Sequence, residues 1–298
     1  MADRKHTPLI LVTGSDRRQV YAAEKLASLD NTEVCAYLTD GEPKGARVIK
    51  TLGELPRRAD MLLLPMPCSA GGGLEIPACG RLTCAELTPY LAKNAVVAGG
   101  KMPTALIEYF NSLGFTTADY LRREELAVKN CVPTAEGALA LAMREMDVTI
   151  SGTRALIIGW GRVAKACARL FGAAGARVCV TARNLGQLAE AESCGFEAFE
   201  LEQLFARAGG FPLIINTVPA PVLTREIIEE TRRGCLVIDL ASQPGGTDFA
   251  AAAELFHDEL HVDLAERARG EIDARAVLVE NDRGVDAGER QKLVGCLG

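Results

Sequence analysis

The sequence predicts an α/β protein of two domains, each built on a doubly wound parallel sheet, with an interdomain cleft. The first observation is length: 298 residues exceed the usual size of one domain, about 100–200 residues, and fit two. The second is that short β-type apolar runs alternate with helical patterns in each of two successive blocks. Because neighbouring parallel strands need a crossover connection, usually a helix, this alternation favours parallel sheets.

Composition limits the class of protein and its compartment. With 48% hydrophobic residues the chain can build packed cores, which argues against a disordered protein. The net charge of −6 gives no overall attraction to phosphate backbones, so no nucleic-acid partner is expected. The apolar run Leu9–Val12 is short for a signal peptide, and no run approaches the roughly 18 apolar residues of a membrane span. We therefore expect a cytoplasmic protein with no membrane partner.

Cysteine and histidine usage argues against a metal site. The 10 cysteines are scattered without a C-x-x-C pair and are interpreted as reduced core residues. His257 and His261 have a spacing that metal ligands on a helix use, yet their acidic surroundings favour an ordinary surface. His6 is the one other histidine, so residues 7–256 contain no imidazole base. This disfavours the dehydrogenases of 2-hydroxy acids, which commonly use a histidine base.

The first block, residues 1–130, is predicted to form an N-terminal domain on the substrate side. Residues 65–67 and 71–73, rich in proline and glycine, predict a loop after its third strand. A helical pattern from Thr134 to Met146 predicts an interdomain helix within residues 131–150. The predicted strands of the first block are Leu9–Val12, Val34–Leu38, Met61–Pro65 and Ala95–Ala98, and its predicted helices cover residues 18–29 and 102–113.

A glycine motif at the start of the second block predicts nucleotide binding. Gly159, Gly161 and Ala164 follow an apolar strand and open a helix, the context that a dinucleotide fingerprint requires. Gly159 permits the tight turn, and Gly161 lets the backbone approach a pyrophosphate at the helix N-terminus. Residues 151–298 are therefore predicted to be an NAD(P)-binding Rossmann domain, and the first block is expected to be Rossmann-like. The predicted cofactor-binding residues of this turn are Gly159, Trp160, Gly161, Arg162 and Val163.

The end of the next predicted strand favours NADP over NAD. Enzymes that prefer NAD place an acidic residue there, whereas this chain has Thr181 followed shortly by Arg183. A guanidinium suits a 2′-phosphate through a charge-assisted contact, although a solvated surface arginine is the alternative. Residues 217–219 (Thr217, Val218 and Pro219) end a further predicted strand, and they either contact the nicotinamide or simply form a turn.

Charged and hydroxyl groups near predicted strand ends are the candidates for substrate binding and catalysis. Asp16, Arg17 and Arg18 follow the first strand, where an α/β sheet opens its crevice, and arginine there can clamp a carboxylate. Ser69 follows the third strand. Thr134 and Glu136 open the predicted interdomain helix, whose N-terminal dipole attracts an anion; the alternative is an ordinary helix cap with an acid in its first turn.

Several longer segments resemble the family of the dipicolinate synthase A chain. They are Asn130–Gly137 (NCVPTAEG), Ser151–Arg162 (SGTRALIIGWGR), Ile215–Pro219 (INTVP) and Ile238–Phe249 (IDLASQPGGTDF), with shorter matches at residues 14–19 and 64–65. The likeness spans residues 8–249 in order. The IDLASQPGGTDF segment is far more specific than a glycine fingerprint.

The resemblance implies an NAD(P)-dependent oxidoreductase that forms dipicolinate from a dihydrodipicolinate or a hydroxylated tetrahydrodipicolinate, at a branch of the lysine pathway. It implies the flavoprotein-like B chain of dipicolinate synthase as partner, a homo- or hetero-oligomer, and the mother cell of a sporulating bacterium. A dicarboxylate needs cations or amide donors at both ends, and Arg17, Ser69, Thr134 and the backbone of Gly245 and Gly246 are the candidates. Glu136 is the predicted base, and Asp16 orients Arg17.

The resemblance ends at Phe249, and residues 250–298 are predicted to be an atypical tail. This segment lacks the Leu-Pro-Gly loop and long apolar helix that members of the family carry there, through either a reading-frame change or divergence.

Two other functions stay open. One is a different two-domain NAD(P) dehydrogenase of the alanine-dehydrogenase type, and the other is a nucleotide-binding protein without catalysis.

Overall fold

The computed structural model describes residues 6–15, 17–68, 74–76, 82–242, 245–255, 261–263 and 275–279. The chain divides into two compact units, Met1–Lys129 and Asn130–Gly298. Each unit contains its own sheet, and each is an α/β unit by itself. The predicted fold class of two Rossmann-like parallel-sheet domains is confirmed. Most of the expected tail, His257 and the candidates Asp16 and Ser69 lie outside the described residues, whereas His261 begins a strand.

The first unit is built on a parallel sheet of six strands in the order β3-β2-β1-β4-β5-β6. This is the strand order of a doubly wound dinucleotide-binding fold, with a topological switch point between β1 and β4. The strands are β1 Leu9–Thr13, β2 Glu33–Tyr37, β3 Arg47–Ile49, β4 Ala59–Leu63, β5 Leu91–Gly99 and β6 Thr116–Asp119, and the helices are α1 Arg17–Ala27, α2 Cys84–Leu87 and α3 Thr104–Ser112.

The central strands explain why both faces of this sheet are covered. All of β1 is buried, and its alternate side chains enter different cores. Leu9 and Leu11 pack with Phe110 of α3 on one face. Ile10 and Val12 pack with Ala23 of α1 on the other. A strand that is apolar on both faces is stable only with helices on both sides, which is the doubly wound arrangement.

The second unit repeats this plan and adds strands at one edge. Its sheet has the order β12-β13-β11-β10-β7-β8-β9, in which β9, β8, β7, β10 and β11 are parallel and β13 runs antiparallel to β11 and β12. The strands are β7 Arg154–Ile158, β8 Arg177–Ala182, β9 Glu197–Glu200, β10 Leu213–Asn216, β11 Cys235–Asp239, β12 His261–Asp263 and β13 Arg275–Val279, and the helices are α5 Arg162–Ala173, α6 Leu185–Ser193, α7 Leu204–Arg207, α8 Arg225–Glu229 and α9 Phe249–Leu255.

The long helix α4, Glu124–Glu145, begins earlier than the sequence predicts. Thr134 was expected at the start of the helix, but Pro133 before it already lies inside, and Glu124 and Glu125 occupy the first turn. Thr134 donates its hydroxyl to the carbonyl of Asn130 at 3.0 Å, a bond that a helix interior allows. The prediction that Thr134 and Glu136 open this helix is therefore wrong. The carboxylates of the first turn interact favourably with the positive end of the helix dipole, which supports a start at residue 124. The helix continues through the proline.

The described cysteines behave as core residues. Cys194 is exposed, whereas residues 35, 68, 84, 131, 167, 179 and 235 are buried, and all are free thiols. Burial raises the pKa of Cys84, Cys167 and Cys179 to about 12, so these thiols stay protonated at neutral pH. Among the helices of the described ranges, none combines the length and the apolarity needed to cross a bilayer.

Candidate functional site

The topology of the second unit places a crevice at the carboxyl ends of β7 and β10. β7 pairs with β8 on one side and with β10 on the other, so the chain reverses its winding between β7 and β10. Ligands of open α/β sheets bind at such a switch point. The turn after β7 and the loop after β10 meet there, and the sequence candidates Gly159 and Thr217 are in contact range at this place.

Gly159 and Gly161 play different parts in the turn after β7. Gly159 has φ +96, and a Cβ on it would lie 2.8 Å from both Thr217 Oγ1 and Val218 Cγ2. Its amide donates to the Thr181 carbonyl at 2.8 Å, which ties the turn to the end of β8. A Cβ on Gly161 would meet nothing within 4 Å. Gly159 is therefore required by the protein itself, while Gly161 leaves open space for a ligand.

The start of α5 lies beside that open space. Gly161 is the N-cap residue and forms no side-chain cap, and Arg162 and Val163 form the first turn. Ala164 is fully buried in the core beneath the sheet, as the third position of a dinucleotide fingerprint requires. A helix N-terminus without a capping side chain is suited to a pyrophosphate, because the amides and the helix dipole both favour an anion.

Trp160 is directed into the protein rather than towards the open space. Its ring is buried and lies edge-on to Phe196, with 5.8 Å between ring centroids, and the Lys165 ammonium lies 5.9 Å from the Trp160 centroid. Within the described part of the chain its indole Nε1 has no hydrogen-bond acceptor. Since Trp160 is the only tryptophan and sits in the fingerprint, its fluorescence reports on this site.

The end of β8 presents an exposed arginine. Thr181 is fully buried, and Arg183 follows it on the surface. Asn184 caps α6 by accepting from the amides of Gly186 and Gln187 at 2.8 and 3.2 Å, which fixes the turn that carries Arg183. No ion pair involves Arg183 within the described residues. The geometry leaves this guanidinium available at the position where dinucleotide folds recognise the adenosine ribose.

The loop after β10 is held against the turn after β7. Thr217 donates its hydroxyl to the Ile158 carbonyl at 2.8 Å, and its amide donates to the same carbonyl at 3.1 Å. Residues 217–219 therefore form one wall of the switch point. Thr217, Val218 and Pro219, which the sequence predicts to contact the cofactor or to form a simple turn, are the residues of this wall.

A buried network that sequence reasoning did not single out fixes this wall. Asp239 at the end of β11 is 3% exposed, and its carboxylate accepts from Asn216 Nδ2 at 3.0 Å and from the amides of Ala241 and Gly246, each at 2.9 Å. The amide oxygen of Asn216 accepts from Val218 N at 3.0 Å. Asn216 lies in the segment INTVP, and Asp239 lies in the segment IDLASQPGGTDF. The signal available in the sequence was a polar residue at the end of each of two apolar strands, because a polar side chain there needs a hydrogen-bond partner if it is buried.

Gly245 and Gly246 form part of this network rather than an open pair of donors. The Gly245 amide donates to the Ser242 carbonyl at 2.9 Å, and the Gly246 amide donates to Asp239. A Cβ on Gly246 would lie 2.5 Å from Asn216 Nδ2 and 2.6 Å from the Ala220 carbonyl. Gly246 thus permits close approach of two loops. Since both amides are used within the chain, the structure offers no free donor from this glycine pair for a substrate carboxylate.

The remaining candidates lie on two helices. Arg17 is the first residue of α1 and is exposed. Thr134 and Glu136 lie within α4, with Glu136 exposed and the Thr134 hydroxyl bonded to the helix backbone. No group of three or more metal-ligating side chains occurs among the residues that the structure describes. The roles of these residues stay predictions.

Comparison with known proteins agrees with this division into units. Residues 9–121 match the model of the N-terminal domain of the dipicolinate synthase A chain. Residues 133–263 match the model of the S-adenosyl-L-homocysteine hydrolase NAD-binding domain. The second unit is thus a nicotinamide-dinucleotide-binding domain, with its glycine turn, helix N-terminus and Thr217 wall inside the matched range.

Similar proteins match both units together. The dipicolinate synthase A chain of Bacillus subtilis (strain 168) is 29% identical over 252 residues, covering 82% of this chain and 84% of that protein. The crystal structure of the corresponding chain from Bacillus halodurans has a TM-score of 0.74 at 29% identity and covers 83% of this chain and 87% of its own. The crystal structure of the Bacillus subtilis A chain gives 0.70 at 27% identity, with 83% and 85% covered. By sequence, by its N-terminal domain and by its fold, the chain is similar to the dipicolinate synthase A chain.

Proposed function

We propose that this protein is an NADP-dependent dehydrogenase that forms dipicolinate. The observation that carries the proposal is the open space at Gly161 and the uncapped start of α5, in a chain whose first unit matches the N-terminal domain of the dipicolinate synthase A chain. The first observation supplies a place for the dinucleotide pyrophosphate. The second points to a cyclic dicarboxylate as the class of substrate.

The reaction that we infer is the oxidation of a dihydrodipicolinate ring. NADP⁺ supplies the acceptor for a hydride from a ring carbon. A ring proton leaves as well, so that one dihydro ring and one NADP⁺ give one dipicolinate, one NADPH and one proton. A hydroxylated tetrahydro ring reaches the same product after it loses water. The aromatic pyridine is more stable than the dihydro ring, which favours the forward direction.

The residues of the second unit have separate parts in holding the cofactor. The turn Gly159–Gly161 and the first turn of α5, with Arg162 and Val163, accommodate the pyrophosphate. The wall at 217–219 borders the nicotinamide side of the switch point, and Asn216 and Asp239 keep that wall in place. Trp160 and Thr181 support the turn from within. Glu136 stays our prediction for the base that accepts the ring proton, with Thr134 beside it in α4.

We predict that Arg183 selects NADP by pairing with its 2′-phosphate. Replacing Arg183 by glutamine removes a charge-assisted contact, which is typically worth about 1.5–3 kcal/mol, or roughly 10- to 150-fold in affinity. The Kd for NADPH, measured by quenching of Trp160 fluorescence, should rise by that factor while the Kd for NADH stays the same. Arg177, which is exposed at the opposite end of β8, gives the matched control R177Q. An equal loss of both nucleotides in R183Q would contradict the assignment.

The partner and the setting belong to the same proposal. The homologues are named as one component of a dipicolinate synthase, so we infer that a second component, the B chain of that synthase, joins this chain in the active enzyme. The resemblance makes this partner flavoprotein-like. We place the enzyme in the cytoplasm of the mother cell of a sporulating bacterium.

Turnover with the purified protein tests the function. The full chain, with and without the flavoprotein-like partner, is mixed with NADP⁺ and freshly generated dihydrodipicolinate, and NADPH absorbance is followed while dipicolinate is identified by chromatography. NADPH and dipicolinate should appear in equal amounts. NADPH formation with a small amino acid instead would favour a dehydrogenase of the alanine-dehydrogenase type. Tight NADP binding without turnover, even with the partner, would favour a non-catalytic protein.

A further inference from the structure

The first unit contains a turn that corresponds, position by position, to the dinucleotide turn of the second. Gly14 follows β1 as Gly159 follows β7, and β1 and β7 are each a strand at the topological switch point of their sheet. Both glycines have positive φ, +125 and +96. A Cβ on Gly14 would lie 2.9 Å from Pro65 Cβ, in the loop after β4, just as a Cβ on Gly159 would strike the loop after β10. The two switch points thus have the same backbone plan.

Their side chains are different, and this argues that the first unit binds another ligand. Aligning Gly14 with Gly159 sets Asp16 against Gly161 and Gln19 against Ala164. In sequence, an aspartate thus takes the second position, where the fingerprint needs a glycine for close approach of a pyrophosphate. The switch point of the first unit is therefore unsuited to a dinucleotide.

Gln19 is an incompletely paired polar group at this place. It is 3% exposed, its Nε2 lies 3.4 Å from the Leu64 carbonyl beyond the end of β4, and its Oε1 has no partner among the described residues. The corresponding residue of the second unit is a small apolar alanine. Buried polar atoms are normally paired, so an unpaired amide at the carboxyl edge of a sheet points to a ligand group that completes it.

Two further donors converge on the same strand end. Arg18 is half-buried and donates from Nη2 to the Met66 carbonyl at 2.7 Å. The Tyr120 hydroxyl lies 3.4 Å from the same Leu64 carbonyl that Gln19 contacts, and burial raises its pKa to about 12, so it stays a donor at neutral pH. A guanidinium has five N–H donors in a planar fork and can bond several acceptors at once, a carboxylate among them.

A strained residue at the end of β5 belongs to the same edge. Lys101 has φ +58, and its amide and that of Met102 donate to Asp119 at 3.1 and 3.0 Å. Gly100, just before it, lies between Met66 and Tyr120: a Cβ there would approach the Met66 side chain at 2.7 Å and the Tyr120 ring at 2.9 Å. A non-glycine residue at positive φ is uncommon and persists only where the surrounding structure holds it. Here it fixes the backbone that carries Gly100 beside Met66 and Tyr120.

We propose that Arg18, Gln19 and Tyr120 form a carboxylate site in the first unit, with the Arg18 guanidinium as the charged partner of one ring carboxylate of the substrate. This inference rests on the proposed function, since it names how the cyclic dicarboxylate is held. It replaces Arg17 by Arg18 as the specificity-determining arginine, because Arg18 is the one fixed at the strand end while Arg17 is exposed. Gln19 and Tyr120 contribute uncharged polar contacts.

Kinetics and product binding of Arg18 variants test this site in the full chain with its flavoprotein-like partner. Losing one charge-assisted pair should raise the KM for the dihydro substrate and the Kd for dipicolinate about 10-fold or more in R18Q. Picolinate, with one carboxylate, should lose less affinity than dipicolinate. NADPH binding, followed by Trp160 fluorescence, should not change. The matched control is R58Q, because Arg58 is exposed just before β4, at the opposite edge of the same sheet.

A second variant keeps the test decisive if R18Q folds poorly. R18K retains the charge but not the planar fork, so its KM should also rise while its melting temperature stays near that of R58Q. An unchanged KM and dipicolinate Kd in a folded Arg18 variant would overturn the site and leave the proposed function intact. A wild-type protein that neither oxidises the dihydro ring nor binds dipicolinate would overturn both.

Discussion

Replacing Gly161 by alanine is expected to abolish tight dinucleotide binding without unfolding the protein. A Cβ at this position meets no protein atom within 4 Å, and Gly161 does not have a positive φ, so the fold accepts the methyl group. The same methyl group occupies the space where a pyrophosphate must approach the start of α5. We expect the Kd for NADPH to rise by about 100-fold, roughly 2.7 kcal/mol, with turnover falling accordingly.

Quenching of Trp160 fluorescence by NADPH measures this effect, and thermal unfolding measures the integrity of the fold. G172A is the matched control on the same helix, because a Cβ on Gly172 would make an ordinary 3.5 Å contact with Phe196. It should bind NADPH as the wild type does and be slightly more stable, since alanine favours a helix over glycine. Normal NADPH affinity in G161A would remove the site from the start of α5.

Replacing Gly159 by alanine is expected to lower stability as well as affinity. In G159A the new methyl group collides with Thr217 and Val218, and φ +96 strains any residue with a side chain. Stability should therefore fall together with affinity, by about 1–3 kcal/mol for the strain. The pair of variants separates a glycine needed by the protein from a glycine needed by the ligand.

Replacing Asp239 by alanine is expected to destabilise the second unit strongly. The carboxylate is the acceptor for three donors at 2.9–3.0 Å: the amide nitrogen of Asn216 and the backbone amides of Ala241 and Gly246. Removing it leaves these buried donors unpaired, at about 1–3 kcal/mol for each. We expect the free energy of unfolding to fall by about 3–5 kcal/mol, near the upper end of single-substitution effects. D239N should be milder, since it keeps one oxygen acceptor.

Urea unfolding followed by Trp160 fluorescence measures this loss, because the one tryptophan lies in the second unit. The control is E229Q, which removes a carboxylate from an exposed position on α8. It should change the unfolding free energy by less than about 0.5 kcal/mol. If D239A unfolds at the same urea concentration as E229Q, the loops after β10 and β11 are held by other contacts, and the network does not fix the cofactor wall.

Local sequence patterns predict the centre of each sheet and miss parts of its edges. The strands β1, β7, β10 and β11 are wholly or largely buried, so they stand out as short apolar runs bounded by turns. The short edge strands β3, β6 and β9 are partly exposed, as Arg47, Thr116 and Glu197 show, and they carry no apolar run to recognise. Their pairing depends on the neighbouring strand rather than on their own residues.

The helix α4 shows a second limit of local patterns. Pro133 indicates a helix start by its own chemistry, because proline lacks an amide hydrogen and fits the first turn. In the folded protein the helix starts at Glu124 and continues through Pro133. Cys131 and Ala135, on either side of the proline, are buried. Packing of that face outweighs the local preference, which is why the predicted boundary at Thr134 is wrong.

The sequence by itself predicted the fold class, the glycine turn after β7 and the resemblance to the dipicolinate synthase A chain, because each depends on residues that are neighbours along the chain. Gly159, Gly161 and Ala164 form such a set, and their spacing carries the geometry of the turn. Only the tertiary structure decided that Asp239 bonds Asn216 and Gly246, and that Arg18 rather than Arg17 is fixed beside Gln19 at a strand end. These contacts join strand ends that are distant in sequence. A hydrogen bond forms only within about 3 Å, so the packing of the sheet selects its partners.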